Sequence, residues 1–391
     1  MRRLTLVSLF ILTTFVSACA EKGEPGPKGD PGPAAEGLVG PRGEPGPKGD
    51  TGPMGPPGNF ARIRVVPPGD NPLIGGENLR LALRAINKVS ADEPWLLFLE
   101  PGVYDLGTQG LQLRPFVHLQ GSGQALSTVR SRASGPTVVA AENTELRSLT
   151  VEHVGGSEDV IALSTSTPLF RARDVVLVAR EGSRRTVALQ SSAGLGSGGF
   201  ERVQARASST QGESVGFSCE GCAVKLAGSS LLAQGGSRAL GVSVRQGSVE
   251  LWDSSATGLG GSVESVGVEA SGSQVVLVRS DATAVDGGTA TGMRLLSSQG
   301  SVRDSTLSGS APPAQQARAL EVSRSDGAPY TVDIQRSTLV GATSSVRGAE
   351  GFTIRIGGSQ LRGGSVEGNG SVTCNGSYDE NLSSPPSPAC P

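Results

Sequence analysis

Carboxylates and guanidinium groups that could do chemistry are scattered along the middle of the chain. Asp281 and Asp304, with Arg279 nearby in sequence, form the best group that could hold calcium or act as general acid and base, since both roles need clustered carboxylates. Charges at regular spacing are also typical of a solvated surface. The sequence therefore predicts no catalytic residues, with these three as weak candidates for a site.

Histidine is too scarce for a histidine-based metal or catalytic centre. The 391 residues include two, His118 and His153, beside 34 basic and 36 acidic residues that leave a net charge of −2. A nucleic-acid partner needs a strongly basic surface, which this balance does not offer. We expect both histidines to be structural or solvated, and we predict no cofactor, no metal and no nucleic-acid partner.

The N-terminus has the pattern of an export signal. Arg2 and Arg3 precede an apolar stretch at 4–16, which is too short to cross a bilayer. The stretch runs into the sequence V-S-A-C, which resembles the lipobox of bacterial lipoproteins and implies acylation of Cys19. An ordinary signal peptide cut near Ala18 is the alternative.

This resemblance implies a lipoprotein signal peptide at 1–18 and a lipidated anchor at 19–22. Ala20, and not an aspartate, follows the cysteine, which in lipoproteins of this kind implies the outer membrane. The acyl chains would then hold the protein at the membrane. Both the cell surface and the periplasmic face remain open.

Glycine recurs at every third position between residues 23 and 58, with one interruption at Ala35-Glu36. The segment holds 12 of the 57 glycines and 10 of the 25 prolines, a collagen-like composition. Only glycine fits the crowded axis of a triple helix. The segment therefore predicts a collagen-like stalk and a homotrimer, with a single-chain polyproline-like linker as the alternative.

An amphipathic helix is predicted at 77–90, from an apolar stripe that begins at Leu79 and ends at Val89. Short apolar runs follow at 95–100, 110–121 and 143–151. Together with the sequence PGVY after the first run, this order resembles the N-terminal part of pectin-lyase-like right-handed β-helix proteins. The resemblance implies that the helix caps one end of a solenoid.

Residues 150–365 repeat with a period near 26, in aligned columns. Small residues between apolar neighbours form one column: Ala162, Ala188, Gly216, Gly241, Gly267 and Gly292. Serines form a second: Ser229, Ser254, Ser280, Ser305, Ser337 and Ser359. Apolar residues form two more: Leu231, Ala256, Ala282, Leu307, Leu339 and Leu361, then Leu226, Leu251, Leu277, Val302 and Ile334.

Such columns are buried only when each coil stacks on the next. The predicted fold is mainly β, a right-handed parallel β-helix of about ten coils at 60–365 with an N-terminal capping helix. The triple-helix stalk at 23–58 precedes it, and a tail at 366–391 follows.

Charges alternate in the position before the column serines, in the order Asp253, Arg279, Asp304 and Arg336. Opposite charges on adjacent strands attract one another. We interpret this row as a surface ladder that sets the register of the coils, and a charged binding stripe is the alternative.

Four cysteines follow Cys19, and an even number in an exported protein predicts disulfides. Cys374 and Cys390 are predicted to close the C-terminal tail. Cys219 and Cys222 are predicted to form a small structural disulfide. A redox-active pair is the alternative for Cys219 and Cys222, and two thiols without histidine partners make a poor zinc site.

Pectin-lyase-like folds carry lyases, polygalacturonases and pectin methylesterases, and none of their carboxylate motifs occurs in the chain. Because a fold does not determine function, we lean toward a protein that is not an enzyme. We expect a trimeric outer-membrane lipoprotein whose β-helix serves adhesion, matrix contact or glycan binding. Its partners would be the membrane, itself, and a polysaccharide or extracellular matrix. The alternatives are a polysaccharide lyase or hydrolase, and a structural envelope protein without a ligand.

Overall fold

Short runs of alternating apolar residues form strands whose inward side chains stack from coil to coil. The computed structural model describes residues 62–192 and 195–391. The predicted signal peptide, lipidated anchor and stalk lie outside the described residues.

The elements follow one another along the chain in this order: β1 (Arg62–Val66), α1 (Pro72–Arg84), β2 (Trp95–Leu99), β3 (Gly102–Asp105), β4 (Leu111–Gln112), β5 (Val117–Gly121), β6 (Ser127–Ser131), β7 (Val138–Val139), β8 (Glu145–Val154), β9 (Asp159–Thr165), β10 (Arg171–Arg180), β11 (Arg185–Ser191), β12 (Leu195–Glu201), β13 (Gln204–Ser209), β14 (Glu213–Glu220), β15 (Ala223–Ala227), β16 (Ser230–Gly235), β17 (Arg238–Arg245), β18 (Ser248–Trp252), β19 (Ser255–Ser271), β20 (Gln274–Val278), β21 (Asp281–Leu296), β22 (Gln299–Arg303), β23 (Thr306–Ser310), β24 (Gln316–Ser323), β25 (Tyr330–Gln335), β26 (Thr338–Gly348), β27 (Phe352–Gly357), β28 (Gln360–Gly368) and β29 (Ser371–Asn375).

Three parallel sheets run along a solenoid of about ten turns, which confirms the predicted mainly β, coiled architecture. Sheet I begins with β1, β2 and β5 and ends with β25, β27 and β29. Sheet II includes β13, β16 and β23. Sheet III includes β9, β11, β14, β17 and β24. Long strands such as β19 and β21 pass from sheet II into sheet III.

The columns read from the sequence are columns in space. Leu231 pairs with Ala256, and Ala256 pairs with Ala282 one coil later. The apolar column that contains Leu226 runs on to Ile334 and then to Ile356. These side chains are buried in one continuous core of small and aliphatic residues.

The corner between sheets I and II depends on a single residue in the left-handed region, followed by a buried serine. Asp253, Arg279 and Asp304 occupy such corners with φ of 49°, 48° and 51°. The serines that follow form what we call the serine ladder: Ser229, Ser254, Ser280, Ser305, Ser337 and Ser359. Each ladder hydroxyl accepts a backbone N–H from the preceding coil at 3.0–3.2 Å. It donates to the carbonyl two residues before it at 2.6–3.1 Å.

The small-residue column lies where sheet III approaches sheet II most closely. A Cβ added to Gly267 would lie 2.5 Å from the backbone oxygen of Gly292 and 2.5 Å from the nitrogen of Thr283. A larger side chain would separate the two sheets, because real Cβ contacts are not this short. This close approach explains the small residue once per coil.

The helix differs from its predicted bounds of 77–90. α1 begins after Asn71, whose side-chain oxygen accepts the backbone N–H groups of Leu73 and Ile74 at 3.1 Å, and Pro72 occupies the first turn. Gly75 and Gly76 lie inside it because the backbone of residues 68 and 105 leaves no space for a Cβ. An N-cap asparagine followed by proline is a helix-start signal that apolar periodicity does not include. The role of α1 as a cap stays a prediction.

The C-terminal boundary predicted at residue 365 falls inside β28, and strands continue to Asn375.

The predicted cysteine pairs both form disulfides, Cys219–Cys222 and Cys374–Cys390. Among the described residues, no helix has the length and apolar character needed to span a membrane.

Replacing Ser280 by alanine should lower the free energy of unfolding by about 1–3 kcal/mol, because the buried N–H of Ser254 loses its acceptor. The measurement is a denaturant titration followed by circular dichroism. Ser301→Ala, at a half-exposed position on β22, is the matched control and should change little. Equal effects of the two substitutions would contradict the structural role of the ladder.

Candidate functional site

Charged side chains occupy corresponding positions on consecutive coils of sheet III. Glu213 pairs in register with Arg238, and Arg238 with Glu264. In a second column, Glu269 pairs with Arg294, and Arg294 pairs with Glu321 one coil later. We call the connected set the sheet III trough, and its members are Arg185, Glu213, Arg238, Glu264, Glu269, Arg294, Arg318, Glu321 and Arg347.

A change in side-chain alternation brings the two columns to the same face. Glu264 and Glu269 are five residues apart, so strict alternation would place them on opposite faces of a strand. Val266 and Val268 both pair in register with the preceding coil, and Gly267 between them does not. The alternation of side chains changes at this glycine. Both carboxylates therefore reach Arg238.

The floor of the trough is an apolar cluster separate from the main core. It consists of Val187, Val215, Leu240 and Val266, with Ile161 packed against it. Val266 lies two residues from Glu264, on the same face as that carboxylate. In the next coils the same column continues with Thr291, Arg318 and Ser344, so the floor changes from apolar to polar.

The middle of the trough is rich in acid. Arg238 donates to Glu213 at 2.8 Å and to Glu269 at 2.7 Å, and it also binds Glu264. Burial opposes the charged form of Arg238, but the neighbouring carboxylates raise its pKa. For Glu264, burial raises the pKa and the guanidinium groups of Arg294 and Arg238 lower it, with a net downward shift.

The other end of the trough is rich in base. Glu321 is shared by three guanidinium groups, those of Arg294 at 3.3 Å, Arg318 at 3.4 Å and Arg347 at 3.3 Å. Burial lowers the pKa of Arg318, although Glu321 partly offsets this effect. Glu321 thus faces three cations, of which Arg294 also binds Glu264 and Glu269, and Glu367 of the next coil pairs in register with Arg347.

Three successive rungs at this base-rich end carry buried polar atoms without a hydrogen-bond partner among the described residues. They are Thr291 Oγ1, Arg318 Nε and Ser344 Oγ. The residues are 0, 5 and 0 % exposed. Buried polar atoms in native proteins usually have partners, so a bound water or anion is the expected complement here.

The three weak site candidates lie elsewhere, at the corner between sheets I and II. Arg279 binds Asp253 through two contacts of 2.6 and 2.8 Å. Asp304 binds Arg336 in the same way at 2.7 and 2.9 Å. These contacts confirm the predicted ladder of alternating charges. Asp281 begins β21 with an exposed side chain.

In the described part of the chain, no group of three or more His, Cys, Asp or Glu residues is arranged to hold a metal. The described contacts of Arg279 and Asp304 go to their corner partners, and these contacts bring neither residue to Asp281. The absence of catalytic residues, with this trio as weak candidates, stays a prediction.

The two histidines belong to other parts of the solenoid. His153 is fully buried, with Nδ1 2.9 Å from the carbonyl oxygen of Ile161, and burial lowers its pKa. His118 lines a cleft of about 310 Å³ with Glu145 and Arg171. Burial, with a contribution from Arg147, lowers the pKa of His118 to about 4.

Sheet I carries a second, more exposed polar surface. The ring centroid of Trp252 lies 4.2 Å from Lys225 Nζ and 5.8 Å from the guanidinium carbon of Arg279. Asp333 and Arg355 pair at 2.5 and 2.7 Å beside a cleft of about 490 Å³. Glu250 accepts from the indole N–H of Trp252 at 3.1 Å and pairs in register with Lys225.

The sequence interpretation missed the trough, although a signal was present. Glu213, Arg238 and Glu264 each stand three residues before a member of the small-residue column. Glu269 and Arg294 each stand two residues after one. Aligning charges to that column, and not only to the serines, would have found both rows.

Comparisons by sequence gave no match to any family model or curated protein. By structure, the chain is similar to the A-module of mannuronan C-5 epimerase AlgE6 from Azotobacter vinelandii, with 15% identity, a TM-score of 0.51, and coverage of 80% of this chain and 96% of that one. It is also similar to the catalytic unit of a GH87 α-1,3-glucanase from Streptomyces thermodiastaticus, with 14% identity, a TM-score of 0.48, and coverage of 79% and 61%.

A third similar structure is pectate lyase Pel9A, with 12% identity, a TM-score of 0.39, and coverage of 84% of this chain and 82% of that one. At 15% identity, the likeness to the epimerase A-module shows a shared parallel β-solenoid fold and nothing about activity.

Replacing Arg238 by methionine should lower the free energy of unfolding by about 3 kcal/mol, because three sheltered carboxylates then face one another without their shared cation. A denaturant titration at neutral pH measures the change. Arg336→Met, which removes an exposed partner of Asp304, is the control and should have a much smaller effect. If the Arg238 variant were as stable as the control, the trough would not be a cooperative network.

Proposed function

We propose that the β-helix is a binding head for an acidic glycan, which it holds in the sheet III trough. The observation that carries this proposal is the sharing of Glu321 among three guanidinium groups. Guanidinium groups bind carboxylates through paired, charge-assisted hydrogen bonds. At the same end, Arg318 Nε is a donor without a hydrogen-bond partner among the described residues.

The repeat of the solenoid suits a polymeric ligand. Successive coils are about 4.8 Å apart, and from Glu269 to Glu367 one column presents a charged side chain of alternating sign on every coil. A glycan lying along the trough would meet Arg294, Arg318 and Arg347 on three successive rungs. Arg347, with a half-exposed side chain, is the group such a ligand would reach first from solvent.

The protonation of the acids supports binding over catalysis. Wherever the pKa of a described carboxyl group departs clearly from its ordinary value, the shift is downward: Asp105, Asp174, Asp253, Glu264, Asp304 and Asp326. A carboxylic acid that donates a proton at neutral pH needs a raised pKa. A polysaccharide lyase or hydrolase is therefore the alternative with less support.

One protein with a similar fold supports the ligand class by analogy. Mannuronan, named as the substrate of the structurally similar epimerase, is a polymer of uronic acids. An acidic sugar polymer would match the cations around Glu321. A structural envelope protein without a ligand would leave the partnerless buried polar atoms of Thr291, Arg318 and Ser344 unexplained.

We propose further that a lipid anchor at Cys19 and a trimeric collagen-like stalk at 23–58 carry this head at the outer membrane. The lipobox-like sequence and the twelve periodic glycines support this arrangement. A head held away from the membrane would serve adhesion, matrix contact or glycan capture, on the cell surface or the periplasmic face.

Arg347→Gln should weaken the binding of an oligogalacturonate at least tenfold, the equivalent of about 1.4 kcal/mol, because the ligand loses a charged donor. Isothermal titration of the full chain measures the affinity, with a neutral oligosaccharide of equal length for comparison. Arg303→Gln, at an exposed position on sheet I, is the control and should bind like the unaltered chain.

Three results of this titration would contradict the proposal. They are equal binding of acidic and neutral sugars, no binding of either, and equal weakening by both substitutions. Shortened or epimerised sugar in the recovered ligand, detected by mass spectrometry, would establish the enzymatic alternative instead.

Cys19→Ser should release the protein from the membrane fraction of cells, because no acyl chain can be attached. The measurement is fractionation followed by immunoblotting. Substitution of Ser17, which leaves the acylated cysteine in place, is the control. A Cys19 variant that stayed in the outer membrane would contradict lipid anchoring.

A further inference from the structure

Exposed apolar side chains are concentrated in the first coil. Of nine large apolar side chains that are exposed in the described part of the chain, five lie between residues 62 and 84. We call these five the first-coil surface, and they are Ile63, Val65, Leu73, Ile74 and Leu81. Two of the five lie on β1 and three on α1, the first two elements of the described chain, and exposed apolar groups that gather at one end of a domain are candidates for an interaction surface.

The two β1 residues of this surface point away from the core. Arg62 and Arg64 alternate with them and lie 5.5 and 5.9 Å from the ring centroid of Trp95. Ile63 and Val65, on the opposite face of the strand, are 58 and 53 % exposed. A further contact joins β1 to the helix, since Arg64 donates to the carbonyl oxygen of Ala82 at 3.4 Å.

The surface also includes a sheet edge. β1 pairs with β2 on one side, and no strand of the described ranges pairs with its other side. An edge of this kind offers unpaired backbone groups to another chain. The first coil thus combines apolar side chains with a strand edge that no strand of the described ranges covers.

The length of chain before the first coil identifies the occupant. The last glycine of the Gly-X-Y period is Gly58, and β1 begins at Arg62, four residues later. Four extended residues reach about 13 Å. In a triple helix, three copies of the chain end together, so three first coils would be tethered within that reach and at high effective concentration.

We propose that the first-coil surface is a contact between copies of this chain, through which three heads associate. This inference rests on the trimeric stalk proposed above. Burying the five side chains would stabilise the trimer by removing apolar area from water. The contact would also hold three chain ends together, which favours nucleation of the adjoining triple helix.

The test uses the full chain in detergent and a double variant, Ile63→Asp with Leu81→Asp. Both side chains are exposed, so the head should fold. The control is Val263→Asp with Leu382→Asp, two residues that are at least as exposed and lie outside the first coil. A second variant, Leu73→Glu with Ile74→Glu, covers the case in which a change in β1 disturbs that strand.

The readouts are sedimentation and the circular dichroism of the triple helix during melting and refolding. The unaltered chain and the control should be trimers. Both first-coil variants should be monomeric, or should refold their triple helix at least tenfold more slowly. Trimers with unchanged melting and refolding in both variants would overturn the first-coil contact and leave the trimeric stalk intact.

A chain with an interrupted stalk, Gly43→Ser with Gly46→Ser, separates the two proposals. If it lacks the triple-helix signal but still associates, and the Ile63→Asp/Leu81→Asp change abolishes that association, the contact exists without the stalk. If the unaltered chain shows no triple helix either, the stalk proposal fails by itself. Monomers at every concentration in every chain would overturn both.

Discussion

Between Gly228 and Gly358, each coil of this solenoid turns from sheet I into sheet II through one left-handed residue, and the backbone N–H next to that turn is buried. The serine ladder supplies its acceptor, because Ser280 of one coil accepts from Ser254 of the coil before it and Ser305 repeats the contact. A buried N–H without an acceptor would cost more than most single contacts provide. The corner therefore sets the register between coils, and the columns that fill the core follow from that register.

Constant register also determines where charges meet. At the corner, an acid and a base alternate from coil to coil, and the described contacts neutralise them in pairs, as between Arg279 and Asp253. In the sheet III trough the two signs are unevenly distributed. Three carboxylates surround Arg238, whereas three guanidinium groups share Glu321. The same stacking thus produces a self-neutralised ladder on one face and a polarised trough on another, and the polarised one can attract a ligand.

Much of the fold could be predicted because a solenoid converts sequence spacing directly into contact. The small residue at Gly267 and the serine at Ser280 occupy the columns expected from a period near 26. The charge ladder at Asp253 and Arg279 was predictable for the same reason. The disulfide partners followed from proximity in sequence and from the closing of the tail.

Other features depended on contacts that spacing does not reveal. α1 contains Gly75 and Gly76, residues that weaken a helix by intrinsic preference, because neighbouring backbone leaves no space for a side chain. The trough was missed because Glu264 and Glu269 are five residues apart, which on a regular strand means opposite faces. Only the changed alternation at Gly267 brings both to Arg238.

The sequence by itself determined the repeat, the buried columns and the alternating corner charges, since all three are properties of a one-dimensional period. Tertiary structure alone decided which charges share a partner and which buried polar atoms lack one. Those properties depend on how sheet III bends against sheet II, where a few ångströms of backbone approach determine whether Arg318 faces one carboxylate or several. The first-coil surface is likewise visible only once the core shows which apolar residues it leaves outside.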